Sequence, residues 1–122
     1  MPAYVKFEMP KEMTERTYEL VELARDSGKL RRGANEVTKL VERGQAKFVV
    51  MAADVQPEEV LLHMPLLCQE KNTPYAYVPS KDELGRVAGL QVKTAAVCVL
   101  DPGKGKALMD DLSSKVAKLT TG

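Results

Sequence analysis

The chain has 122 residues, 44% of them hydrophobic, and a formal net charge of +1; that is enough for one compact domain around one core, and too near neutrality for a protein that coats nucleic acid by bulk charge. No apolar run approaches the roughly 18 residues that cross a bilayer, and Met1 to Pro10 lacks the apolar centre of a secretion signal, so a soluble, cytoplasmic protein is expected. Cys68 and Cys98 lie in apolar surroundings with no CxxC pair and only one histidine in the chain, which favours buried free thiols over a disulfide or a zinc site.

Ala3 to Phe7 is expected to be a short extended lead-in. Pro10 suits the start of a helix running to about Asp26, with Met13, Leu20, Val21 and Ala24 on its buried face and Ser27-Gly28 as its stop. Leu30 to Arg32 is long enough only for a short strand. Gly33 then makes a turn, and a second helix is predicted from about Asn35 to Arg43, ended by Gly44. The run from Lys47 to Ala53 is almost continuously apolar, as a central strand covered on both faces must be.

Asp54 to Pro57 reads as a turn into a further helix, with Glu58 and Glu59 in its first turn and Val60, Leu61, Met64, Leu67 and Cys68 along one side. Pro65 falls inside that periodic segment and predicts a kink near Leu61 or Leu62. Pro74 to Val78 reads as a strand, Ser80 as the cap of a short helix ended by Gly89, and Thr94 to Leu100 as the last strand. Ala107 to Leu119 is the closing helix, after which Thr120 to Gly122 should fray. Alternating strands and helices place the chain in the α/β class, as a three-layer α/β/α sandwich with a mixed sheet of about four strands.

Charge is unevenly distributed. Lys29, Arg31, Arg32, Lys39, Arg43 and Lys47 against Glu36 and Glu42 leave a local excess of +4; Asp54, Glu58, Glu59 and Glu70 against Lys71 leave −3. A polyanion would therefore meet one local face, with base contacts supplying selectivity. Catalytic groups are thin: His63 has no serine or cysteine at a pairing distance in sequence and reads as a partly buried structural residue, so an enzyme is not expected. Gly103-Lys104-Gly105-Lys106 lacks the spacing of a phosphate loop and reads as a turn. No metal or cofactor is expected.

Two stretches hold the binding chemistry. After Gly33, the opening helical turn carries the amide of Asn35, the carboxylate of Glu36 and, four residues after Asn35, the amine of Lys39, which together can read the donor and acceptor edge of a nucleobase. The same residues also read as ordinary capping, with Asn35 as the N-cap and Glu36 favoured by the helix dipole. Leu90 and Val92 are either the beginning of the last strand or an exposed apolar lip able to cover a base expelled from its stack.

RRGANEVTK, the stretch VVMAADVQPEEVLLHMPLLCQEKNTPYAYVPSK, and ELGRVAG followed by an apolar loop resemble the archaeal large-subunit ribosomal protein that binds kink-turn RNA, the L-seven-Ae family, and its relative, the eukaryotic small nuclear ribonucleoprotein that binds the same bend. The resemblance runs from about Tyr4 to Leu119. It implies one kink-turn RNA-binding domain over residues 1–122, in which Gly33, Asn35, Glu36 and Lys39 meet tandem sheared G·A pairs, Arg32 and Lys81 meet phosphates, and Leu90, Gln91 and Val92 with Val60 pack on a flipped-out nucleotide. It further implies ribosomal RNA, box C/D and H/ACA guide RNA and ribonuclease P RNA as partners, a Nop-domain scaffold and a methyltransferase in the guide particle, and a monomer when free. Gln91 and Lys93 depart from the acidic residue and the proline that relatives often carry there. The alternative from a different class is a protein-interaction or small-ligand module using the acidic Asp54 to Glu59 end.

Overall fold

Phe48–Ala52 (β2) is buried at all five positions, which requires cover on both faces of the strand. Burying Phe48 alone is worth about 1.5–3 kcal/mol. The computed structural model describes residues 2–121, with only the backbone of Thr121, and places β2 inside a four-stranded sheet with Lys29–Arg32 (β1), Tyr75–Val78 (β3) and Ala96–Asp101 (β4). The strand order is β1-β4-β2-β3. β4 is antiparallel to both neighbours, whereas β2 and β3 are parallel, so the sheet is mixed, as expected. Register sets Arg31 opposite Cys98 and Val50 opposite Val97.

Among the described residues, five α-helices cover the sheet: Lys11–Ser27 (α1), Ala34–Glu42 (α2), Met64–Glu70 (α3), Lys81–Val87 (α4) and Lys106–Thr121 (α5). α1 packs against α4 and α5, and α2 packs against α3, so the helices form two groups around the strands. In α1 the buried residues Met13, Thr17, Leu20, Val21 and Ala24 follow the helical period, and Thr17, the polar member, satisfies its hydroxyl on the Met13 carbonyl at 2.7 Å. Cys68 and Cys98 are buried and unpaired. Among the described residues, no helix is long and apolar enough to cross a membrane.

Several expectations are corrected. Pro65 does not kink a helix that began at Pro57. The segment is divided into a 3-10 turn over Glu58–Val60, a turn through His63, and α3, in whose first turn Pro65 sits, where its missing N–H costs nothing. Nor is the Ala3 to Phe7 lead-in extended: Val5 N–H donates to the Pro2 carbonyl at 3.1 Å, and Tyr4 and Phe7 turn into the core. The Tyr4 hydroxyl donates to the Ala52 carbonyl at 2.6 Å and accepts from the Val55 N–H at 3.0 Å, which ties this segment to the end of β2. His63 is exposed, not partly buried; its Nε2 lies 2.8 Å from the Thr38 hydroxyl. Thr38 already donates to the Ala34 carbonyl at 2.7 Å, so His63 Nε2 must be the donor in that bond. Thr120 remains helical, its hydroxyl on the Val116 carbonyl at 2.8 Å, and of the expected fray only Gly122, like Met1 at the other end, lies outside the described residues.

Candidate nucleic-acid interface

The candidate surface begins where β1 ends. Gly33 has φ +97° and ψ 138°, a conformation that side chains resist, and it stands at the N-cap of α2, so Asn35 is not the cap. Its N–H donates to the Ala96 carbonyl at 2.8 Å, which pins the turn to the start of β4, and its carbonyl accepts from Val37 at 2.9 Å. Apart from the glycine and its two chain neighbours, no atom lies within 4 Å of where a Cβ would stand. A ligand can thus approach the backbone at this point.

Downstream the helical period divides the side chains. Val37, Leu40 and Val41 are buried, whereas Asn35, Glu36 and Lys39 are exposed on the opposite arc. No side chain caps the helix, so Asn35 is not consumed by capping and the first-turn N–H groups add their partial positive charge beside Glu36. One turn therefore offers an amide, a carboxylate and an ammonium group to solvent.

The second part is the loop from Gly89 to Lys93. Gly89, at φ +84°, reverses the chain after α4. The loop then runs back along α4 towards its N-terminus, where the Thr94 N–H meets the Lys81 carbonyl at 3.2 Å. The segment is therefore a lip and not an extension of β4, which begins at Ala96. Leu90 is half-buried, Gln91 and Lys93 are exposed, and Val92 is 68% exposed, the largest value among the exposed large hydrophobics. Together with Asp82 and Arg86 of α4 they line an open depression of about 440 Å³. Arg86 pairs with Glu83, which holds the Glu83 carboxyl below its ordinary value through their hydrogen bond.

Two links bring turn and lip together. Gly33 is bonded to Ala96, three residues beyond Lys93, and Arg32 Nε donates to the Ala88 carbonyl at 2.7 Å, one residue before Gly89. Arg32 is half-buried, its Nε engaged in this bond. Lys81 is half-buried at the far end of the lip, with its N–H on Asp54 Oδ1 at 2.9 Å. Val60 is 36% exposed on the 3-10 turn, and His63, three residues further on, meets Thr38 of α2. Sequence reasoning passed over Arg25 and Gly85, which shape the lip from beneath: the Val87 carbonyl that Arg25 holds is 62 positions away, and what Gly85 faces is the backbone of Val92 and Lys93.

The acidic end is largely occupied with holding the fold. Asp54 accepts from Lys81, and Glu58 Oε1 accepts from the Ala3 N–H at 2.7 Å. Among the described residues, no group of three or more His, Cys, Asp or Glu side chains is placed to hold a metal ion. Two further cavities, of about 400 Å³ between α3 and α5 and about 370 Å³ under the N-terminal segment, contain none of the residues of the turn or the lip.

Comparison with known proteins adds two findings. The model of the ribosomal protein L7Ae/L30e/S12e/Gadd45 family matches residues 15–109. The structure is also similar to that of the 15.5kD RNA binding protein of Giardia lamblia, with a TM-score of 0.89 at 33% identity, covering 98% of each chain.

Proposed function

Because the chain belongs to the ribosomal protein L7Ae/L30e/S12e/Gadd45 family, we propose that it is a non-enzymatic RNA-binding protein that recognises and stabilises kink-turn motifs. The observation that carries the reading is the joint exposure of Asn35, Glu36 and Lys39 on one arc of α2, beginning at a glycine with open space above it and tied to an apolar lip. A carboxylate at Glu36 accepts from the ring N–H and amino group of guanine, while Asn35 and Lys39 donate to its O6 and N7. Such edges become reachable from one helix end only when the RNA is sharply bent. Leu90, Gln91 and Val92, with Val60, then shelter the extruded nucleotide, and Arg32 and Lys81 contact phosphates. Arg32 retains its terminal nitrogens for that purpose.

The mechanism is a shift of population. A flexible bulge samples open and kinked forms, and a protein whose contacts exist only with the kinked form draws it there by the difference in affinity. The reading extends to one RNA-binding domain over residues 1–122, to an archaeal source, and to service in the large ribosomal subunit, in box C/D and H/ACA guide particles and in ribonuclease P. In the guide particles a Nop-domain scaffold and a methyltransferase would join the RNA-bound protein. These assignments rest on the motif resemblance.

The test is a titration, at fixed salt, against one kink-turn RNA and a version whose G·A pairs are replaced by Watson–Crick pairs. Strong preference for the first is expected. Equal binding to both would remove kink-turn recognition and leave general RNA affinity.

A further inference from the structure

A helix ends with four carbonyls that have no partner within it, which for α4 are those of Gly85, Arg86, Val87 and Ala88. All four are satisfied. The Leu90 N–H donates to Gly85 at 2.9 Å and the Gly89 N–H to Arg86 at 3.1 Å, the paired bonds of a Schellman stop around the left-handed Gly89. Arg32 Nε takes the Ala88 carbonyl, and Arg25 Nη1, from α1, takes the Val87 carbonyl at 3.0 Å. Arg25 is itself held by Asp26, with Nε 2.8 Å from Oδ1 and Nη2 3.2 Å from Oδ2. Its methylene stem lies under the reversal: a Cβ on Gly89 would stand 2.9 Å from Arg25 Cδ.

We propose that Arg25 is a positioning residue for base recognition, setting the height of the Leu90–Val92 lip through the end of α4; the proposal rests on the RNA-binding reading above. Three of its nitrogens are committed to protein oxygens, and its partner Val87 is two residues before the reversal. Its influence on RNA is therefore indirect and confined to whatever the lip touches. Arg32 differs, because it has terminal nitrogens to spare.

The test compares wild type, Arg25→Ala and Arg25→Lys against a kink-turn RNA with its extruded nucleotide intact and the same RNA with an abasic sugar at that position, at fixed salt. Loss of a supporting contact of this kind should weaken binding of the intact RNA by about fivefold, and leave the abasic RNA within about twofold. Arg25→Lys, which keeps the stem and a donor, should recover part of the loss. Equal losses on the two RNAs would mean a general charge effect or a damaged fold and overturn the proposal, as would no loss on either. Should Arg25→Ala fail to fold, Asp26→Ala, an exposed change that removes both acceptors holding the guanidinium, carries the same comparison: a loss confined to the intact RNA supports the proposal, and any other result overturns it. Wild type that fails to prefer the kink-turn over its Watson–Crick control would instead sink the RNA reading itself, before any variant is measured.

Discussion

Gly85, inside α4, lies directly beneath Val92, the outermost apolar residue of the lip: a Cβ on Gly85 would overlap the Val92 carbonyl oxygen and stand 3.0 Å from the Lys93 Cα. Helix propensity alone favours alanine at such a position by about 0.5–1 kcal/mol. The obstacle here is backbone, which cannot swing aside as a flexible side chain would. Gly85→Ala is therefore expected to destabilise the fold by about 1–3 kcal/mol, as overpacking does, and to lift the lip. Urea unfolding decides the matter, since a higher midpoint for the variant would mean that propensity had won.

Glu36 is exposed on the arc of α2 opposite the core. Glu36→Ala should cost more than about 1 kcal/mol of kink-turn affinity, the scale of one specific base contact. Folding stability should fall by no more than about 0.3–1 kcal/mol, the worth of a carboxylate at a helix N-terminus. Gel-shift titration of variant and parent at one salt concentration reads the first quantity, and urea unfolding reads the second. Identical affinities would take Glu36 out of the interface.

Gly33→Ala places a methyl group where no atom beyond its own chain neighbours lies within 4 Å, so any loss of stability must come from the backbone. At φ +97° that strain is expected to cost about 1–3 kcal/mol. RNA affinity should fall as well, because the methyl group stands in the open space over the turn. A variant as stable as the parent would show that the turn tolerates a side chain.

Burial pushes the Cys68 thiol up to about 12, with neighbouring Cys98 adding to the shift, and pushes Cys98 up to about 11 against the opposing influence of Arg31. Tyr77 and Tyr4 are raised in the same direction, again chiefly by burial. A group whose pKa is higher folded than unfolded stabilises the fold fully below its unfolded value. That contribution is lost as pH rises, because the unfolded chain gives up the proton first. Stability should hold near neutrality and decline from about pH 9 towards 12. Denaturant midpoints across that range test this, and a midpoint rising with pH would contradict it. Both thiols should also resist a water-soluble thiol reagent until the chain unfolds.

Much of this architecture is legible along the chain because its signals are local. The unbroken apolar run at Phe48–Ala52 announces a strand buried on both faces, the period of Val37, Leu40 and Val41 orients α2, and Gly33 and Gly89 mark reversals. The exposure of Asn35, Glu36 and Lys39 follows from that period. What escaped is non-local or ambiguous. Arg25 meets Val87 across 62 positions, which no periodicity announces. Pro65 carries the same letter whether it kinks a helix or opens one, and its role was decided by the turn through His63. The Asp54 carboxylate looked free for a ligand because the N–H it accepts from belongs to Lys81, far along the chain.

The complete capping of α4 fixes the character of recognition. A loop whose anchoring helix has no loose carbonyl is tied down at its root in the unliganded molecule, which lowers the ordering cost of association there. An arriving RNA would meet a lip already held at both ends, by the Leu90 and Thr94 N–H bonds to α4. On the kink-turn reading proposed above, discrimination then falls to the nucleic acid, which must have a base able to swing out and a backbone able to fold, and sequences too stiff to comply are rejected by their own deformation energy.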